Sequence, residues 1–400
     1  MRRVLAVVSL VQLVSVLPAA PAGDDAIAQP IAVLKSVARE GKNNDAVGPA
    51  WKALVSQGAA ALFPTLEAID DANPTAANWL RLAVGAIAEA EVKANRPLAA
   101  AKLEAFAKGP KYAPSARVLA YELLAAQDST APARLLPGFL DDPSIDLRRA
   151  AVAAELQKLE KAARPSIQAD LEKLLTFARD KDQVEAIAKK LDKDYHSKVS
   201  LTEHFAFVTH WDIVGPFASA EGKALSLKHR PEVKVILDEK LKGKGGAEVK
   251  WKPFDTRDAY GVVDLNKEIG KNHDAAAYAS AILVAEKETP VQIRLGTPNA
   301  LQVFLNGEKL FEREEYHHGS NMDYHIGKGR LKAGNNVLVL KICQNNQKEV
   351  WTQSWQFQAR VCDAAGSPLP GVTQLIGAKK SKIGSIAPKS ETKETKEEKK

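Results

Sequence analysis

The spacing of apolar residues changes once along this chain, near Lys198, and the change separates two kinds of fold. Before it, over residues 24–196, Ala, Leu, Glu, Lys and Arg dominate, the residues that favour helix. Apolar side chains recur there at i, i+3, i+4 and i+7, as in Leu80, Ala83, Val84 and Ile87, in Val118, Leu119 and Leu123, and in Leu171, Leu174 and Leu175. Breaks at Gly58, Asn73-Pro74, Asn95-Arg96-Pro97, Gly109-Pro110, Asp142-Pro143 and Arg164-Pro165 leave helices of ordinary length between them. After Lys198, aromatic and β-branched residues cluster in short runs. The run Trp211-Asp212-Ile213-Val214 stops at Gly215-Pro216, and further strands are predicted at 247–251, 277–285, 291–295, 301–305, 337–343 and 355–363. Turn signals at Gly245-Gly246, Asn306-Gly307, Gly327-Lys328-Gly329 and 333–336 separate them, the pattern of an antiparallel β-sandwich.

The helical half repeats itself. An apolar-Arg-x-apolar pattern centres on Arg81, Arg117 and Arg148, spaced 31 to 36 residues apart, the period of a helical-hairpin solenoid. Each arginine is read as a brace for its own turn, through an Asp or a backbone carbonyl, rather than as a ligand contact. The stretch 135–151, with Asp142-Pro143 just before Leu147-Arg148-Arg149-Ala150, resembles a HEAT repeat, and the resemblance extends in weaker form over 74–192. It implies an α-solenoid that presents a protein-binding surface.

In the strand-rich half, Val303-Phe304-Leu305-Asn306-Gly307-Glu308, His318-Gly319, Asp323 and the run 331–338 resemble the galactose-binding-like jelly roll. The pattern is that of the sugar-binding domain preceding the catalytic barrel in family 2 glycoside hydrolases. Asn306-Gly307 suits a two-residue hairpin that needs positive φ at both positions, so these residues specify fold more than sugar contact. No barrel is expected after the last predicted strand, so the resemblance implies the sugar-binding fold, and the hydrolase activity is not carried over. Trp211 through Phe217, with the helical front end, also resembles a two-domain architecture of exported bacterial proteins. Together these readings give a multidomain α plus all-β chain. Residues 1–22 are expected as a signal peptide, 23–196 as a HEAT-like helical domain, 197–202 as a linker, 203–372 as the jelly-roll sandwich, and 373–400 as a disordered Lys/Glu-rich tail.

The signal peptide rests on Arg2-Arg3, an uncharged apolar run over 4–17, and Ala20-Pro21-Ala22 as a small-x-small cleavage pattern. An uncleaved anchor is the competing reading, although a run of 14 residues falls short of the roughly 20 apolar residues a span requires. No transmembrane helix is expected in the mature chain, which is read as exported to a periplasmic, extracellular or envelope location. The net charge of +7 then divides. The leader carries two arginines and no acid, and residues 379–400 carry eight Lys against four Glu; what remains has 46 basic and 45 acidic residues. Basicity belongs to a leader and a tail rather than to a binding face, which removes the main argument for nucleic acid as a partner.

Catalytic motifs are absent from the sequence. The acidic pairs Asp24-Asp25, Asp70-Asp71 and Asp141-Asp142 sit at helix ends, where caps explain them. Gly-x-Ser-x-Gly, His-Glu-x-x-His and Walker A patterns do not occur. The densest polar feature is Tyr316-His317-His318, followed by Asp323 and His325. It reads either as sugar hydrogen-bonding groups or metal ligands at a sandwich-end loop, or as surface decoration. The chosen expectation is no metal and no cofactor. Trp351 follows the polar loop containing Asn345 and Asn346; it reads either as a flat platform for a sugar face or as a lid folded over the core. Trp211, Trp251 and Trp355 lie within strand patterns and are read as core. Cys343 and Cys362 are expected to stay free, because a hairpin register would place them far apart.

The combined reading is an exported, non-enzymatic binding or scaffold protein. Its helical repeats would meet a protein partner, and its sandwich would bind carbohydrate or the envelope. The ligand-binding candidates are Trp351, Asn345, Asn346, Tyr316, His317, His318 and Asp323. A glycan-active enzyme with an unrecognised site and a purely structural envelope component are the rival classes.

Overall fold

The computed structural model describes residues 24–38, 44–162, 166–219 and 223–376. The leader, the Arg164-Pro165 break and the tail beyond residue 376 lie outside the described residues. The chain divides into two compact units, Met1–Ala154 and Glu155–Lys400. It is α plus β: helices in the first unit, and antiparallel sheets preceded by further helices in the second. Among the described residues, no helix is long and apolar enough to cross a membrane.

The first unit contains α1 (Asp24–Lys35), α2 (Val47–Ser56), α3 (Ala59–Glu67), α4 (Pro74–Lys93), α5 (Ala100–Lys108), α6 (Pro114–Gln127), α7 (Ala131–Leu135) and the start of α8 (Ile145–Glu160). Consecutive helices pair, α1 with α2, α3 with α4 and α5 with α6. Buried Ala61, Ala83, Ala107, Ala116 and Ala120 let them close on Leu54, Leu66, Leu80, Leu103 and Leu124. The Asn73-Pro74 break works as a helix start. The Asn73 side chain accepts from the backbone N–H of Thr75 at 3.0 Å and of Ala76 at 3.1 Å, and Pro74 fills the first turn.

Asp142 joins successive helical layers. Its carboxylate accepts from Arg117 Nη1 at 2.9 Å and Nη2 at 2.6 Å, and its backbone carbonyl accepts from Arg148 Nη1 at 2.8 Å. Arg117 also donates to the Ala107 carbonyl at 2.8 Å, and both arginines are buried. The bracing role expected for the spaced arginines thus describes Arg117 and Arg148, whereas Arg81 is exposed. Arg117→Lys keeps the charge but loses the planar fork and the Ala107 bond. Chemical denaturation should show a loss of about 1.5–3 kcal/mol; an unchanged midpoint would make the bridge irrelevant to stability.

The second unit begins within α8 and takes in α9 (Gln168–Phe177) and α10 (Lys181–Tyr195), so its boundary falls well before residue 196. Their contacts explain why. Glu185 accepts from the Tyr260 hydroxyl, Lys181 Nζ lies 4.3 Å from the centre of the same ring, and Arg179 Nε donates to Ser367 Oγ at 2.7 Å.

Two antiparallel sheets follow. The larger runs β4 (Lys252–Asp255), β1 (His210–Ala218), β6 (Ala275–Ala285), β11 (Gly334–Gln344), β8 (Ala300–Leu305) and β9 (Glu308–Arg313), with β13 (Val372–Gln374) also paired to β6. The smaller runs β10 (His325–Leu331), β7 (Thr289–Gly296), β12 (Gln356–Cys362) and β5 (Val263–Asp264). A separate ribbon pairs β2 (Lys240–Lys242) with β3 (Glu248–Lys250). The sheets share one core, in which Trp211, Ile213, Leu340 and Ile342 face Ile293, Leu295, Trp355 and Phe357. The outer face of the large sheet is covered too: Val214, Tyr278, Ile282 and Val339 pack against Leu241 and Trp251. Cover on both faces is why β6, apart from Ser280, reads as an apolar run rather than an alternating one.

Three sequence expectations change here. Gly327-Lys328-Gly329, read as a turn between strands, lies inside β10 and pairs with β7. β1 does not stop at Gly215-Pro216 but continues to Ala218, its register against β6 shifting between Val214 and Phe217, so a bulge absorbs the dipeptide. Cys343 and Cys362 are both free and buried, but for another reason than a hairpin register: β11 lies in the large sheet and β12 in the small one. The Asn306-Gly307 turn is as read, with φ of 54° and 83° and Leu305 facing Glu308 across it. Asn306 and Asn336 then lock two turns together, Asn306 Nδ2 donating to Asn336 Oδ1 at 2.8 Å.

Candidate functional site

One end of the sandwich is formed by the loop from β9 to β10 and the loop from β11 to β12. Both carry the polar and aromatic residues singled out in the sequence. A buried amide network builds the second loop. Asn299 Nδ2 donates to Gln344 Oε1 and to the Ser354 carbonyl, both at 2.9 Å, and Gln344 Nε2 donates to the Thr352 carbonyl at 2.9 Å. Thr352 Oγ1 then closes the turn onto the Glu349 carbonyl at 2.7 Å. Asn299, Gln344 and Thr352 are fully buried, so their bonds form away from competing water. They were not recognised as site residues from sequence. The only signal was a polar Gln ending an apolar strand and a Thr-Pro-Asn turn before β8.

That turn, Val350–Thr352, displays Trp351 with 66% of its surface exposed. Of the two sequence readings of Trp351, the lid over the core does not hold, because Trp355 and Phe357 already fill the sandwich at this end. His317 stands beside it, with ring centres 5.5 Å apart and planes at 81°. His317 adopts a left-handed backbone with φ of 59°, its N–H bonds the Pro298 carbonyl at 2.6 Å, and its Nε2 lies 3.0 Å from Asn345 Oδ1. Asn345 also donates through Nδ2 to Gln347 Oε1 at 2.9 Å, and Asn346 is exposed next to it. The result is an indole face flanked by an imidazole and amides, held by a rigid buried network.

The remaining candidates go elsewhere. Tyr316 turns inward beside Ala276, Ala300 and Cys343, and burial raises the pKa of its hydroxyl. Asp323 sits between two buried arginines, Arg294 and Arg360, with Arg294 Nη1 at 2.7 Å and Arg360 Nε at 2.6 Å. Burial alone would raise its pKa, but Arg360 and then Arg294 outweigh that and hold it below the usual carboxylate range. His318 points away from His317, stacks on Tyr324 with centres 4.5 Å apart, and faces His325 and Glu315. Burial lowers the pKa of His325. The loop lies so close to β7 that a Cβ at Gly296 would meet the Asn321 carbonyl at 2.5 Å.

No family model matches the chain, and no curated protein matches it in sequence. Among solved structures it is similar to a β-glucosidase from Kluyveromyces marxianus in complex with glucose, at 14% identity and a TM-score of 0.24, over 42% of this chain. The match takes in 17% of that enzyme, so this chain corresponds to a small fraction of it. A family 35 carbohydrate binding module from an environmental isolate is similar at 18% identity and a TM-score of 0.18, over 26% of this chain and 72% of the module. An anti-sigma factor domain-containing protein is similar at 9% identity and a TM-score of 0.20, over 45% of this chain and 78% of its own. Likenesses this loose carry no argument about what the chain does.

Proposed function

We propose that the second unit binds carbohydrate at the surface formed by Trp351, His317 and Asn345, within an exported, non-enzymatic binding or scaffold protein. The observation that carries this is Trp351, displayed at 66% exposure on a turn pinned from below by buried Asn299, Gln344 and Thr352. A large aromatic face held open to water suits the apolar face of a sugar ring, and adjacent amide and imidazole groups suit its hydroxyls. The wider reading, a HEAT-like solenoid for a protein partner and a galactose-binding-like jelly roll for the glycan, is supported by the buried Asp142 bridge between helical layers and by the Asn306-Gly307 turn.

A polysaccharide pull-down and glycan array with the full chain test the proposal. Trp351→Ala should weaken binding on the order of tenfold, about 1.4 kcal/mol, while leaving the unfolding midpoint in place because the side chain is exposed. Retained affinity in that variant, or no binding to any glycan, would reject the site. Release of new reducing ends from a bound polysaccharide would replace the binding role with an enzymatic one.

A further inference from the structure

We propose that Glu315, His318 and His325 form a binding site for a divalent transition-metal ion of the Zn²⁺ type, which ties the β9–β10 loop to the first residue of β10. One donor atom from each residue lies within 4.8 Å of the others. Around a tetrahedral ion at ordinary Zn–N and Zn–O lengths, ligand atoms stand about 3.4 Å apart. The difference is within reach of Glu315, whose side chain is 50% exposed and has room to swing inward.

The two imidazoles are already arranged as ligands. His318 Nδ1 lies 2.7 Å from the Gly319 carbonyl and donates to it, which leaves Nε2 as a lone pair. A metal-binding histidine ordinarily has this kind of outer partner, which fixes its tautomer and orientation. His318 Nε2 is buried with no hydrogen-bond partner, 3.9 Å from Glu315 Oε2. His325, only 4% exposed, also has a buried Nε2 without a hydrogen-bond partner. Buried polar atoms are rarely left unpaired, and two imidazole nitrogens beside one carboxylate call for a shared cation. The donor set selects among cations: two imidazoles and one carboxylate suit Zn²⁺ and its first-row neighbours, whereas Ca²⁺ and Mg²⁺ take oxygen ligands. Three protein ligands leave a fourth position open on the solvent side.

The site does not depend on the carbohydrate reading, and its test uses no glycan. The full chain, without a polyhistidine tag and stripped with chelator, is titrated with Co²⁺. The readout is the strong visible absorption of tetrahedral Co²⁺, followed by its displacement with Zn²⁺. One equivalent should bind. His318→Ala and His325→Ala should each weaken binding by more than about 100-fold, and Glu315→Gln by about 10- to 100-fold. His210→Ala, on β1 and paired with Asp255, should bind as the parent does. Circular dichroism checks folding. If His325→Ala fails to fold, His318→Ala and Glu315→Gln decide, since neither side chain is fully buried. Absence of saturable binding overturns the proposal. So does unchanged affinity in His318→Ala, or an equal loss in His210→Ala.

Discussion

Asp323→Ala should destabilise the second unit by roughly 5 kcal/mol, the upper end of the range for breaking a buried ion pair. The reason is what the carboxylate leaves behind. Arg360 is 2% exposed and Arg294 is 7% exposed, and a guanidinium left without its anion cannot neutralise itself by giving up a proton. Asp323 accepts from both guanidinium groups of Arg360 and Arg294, and it is the anion they share. The arginines in turn hold backbone from three places. Arg360 Nη1 donates to the carbonyls of Phe205 at 3.2 Å and Gly366 at 2.9 Å, and Arg294 Nη2 to that of Ala364 at 2.9 Å. Removing Asp323 therefore strands two cations that also clamp the entry to β1 and the turn after β12. Hydrogen exchange at β7 and β12 is the right measurement, since two units need not unfold in one transition. A loss below about 1 kcal/mol would mean that water compensates the arginines and that the carboxylate is not the keystone.

The same carboxylate fixes a pH dependence. Its folded pKa lies below the unfolded value of about 3.9. The stability it supplies is then complete above that value and is lost as pH falls through the folded pKa. Asp323→Asn should flatten this acid limb.

The division into halves was legible because it depends on local periods. Ala-rich runs with i, i+4 apolar spacing became α1 to α10, and the short β-branched runs became β6, β7, β8, β11 and β12 within a few residues. Trp211 and Trp355 were legible as core because they lie inside such runs. Asp323 was legible as special but not as what it is, since its partners lie 29 and 37 residues away on two different strands. Trp351 presented the same difficulty from the other side. Its exposure follows from Asn299 and Gln344, 45 residues apart, bonding beneath it. The pair α9 and α10 carries the helical period of the first half, and what ties it to the second unit are contacts such as Glu185 to Tyr260 and, between the two helices, Arg179 to Ser367. Local periodicity thus fixes elements, whereas polar pairings distant in sequence decide which groups are held open and which are consumed.

Lys341 tests that distinction most directly. It is fully buried on the outer face of β11, and all three of its ammonium donors are used: the Leu225 carbonyl at 2.9 Å, the Leu227 carbonyl at 2.8 Å and Glu232 Oε1 at 2.8 Å. Tyr278 donates to the same Glu232 oxygen, and burial, then the Glu232 charge, keep its hydroxyl protonated. A segment that the sequence reading left without strands is thereby fastened to the sheet through one lysine. Lys341→Met fits the volume but leaves the Glu232 carboxylate without its counter-charge and two carbonyls without their donor, with an expected loss of about 3–5 kcal/mol. Glu232→Gln alone should cost a similar amount by leaving the ammonium without its counter-charge. The double variant removes both charges at once, so its loss should be no greater than that of the worse single variant. A double-mutant cycle read by denaturant unfolding then gives a coupling energy of at least about 2 kcal/mol. Simple additivity would show that the lysine is held by the carbonyls alone, and that the 225–232 segment is seated by the apolar contacts of Leu225 rather than by charge.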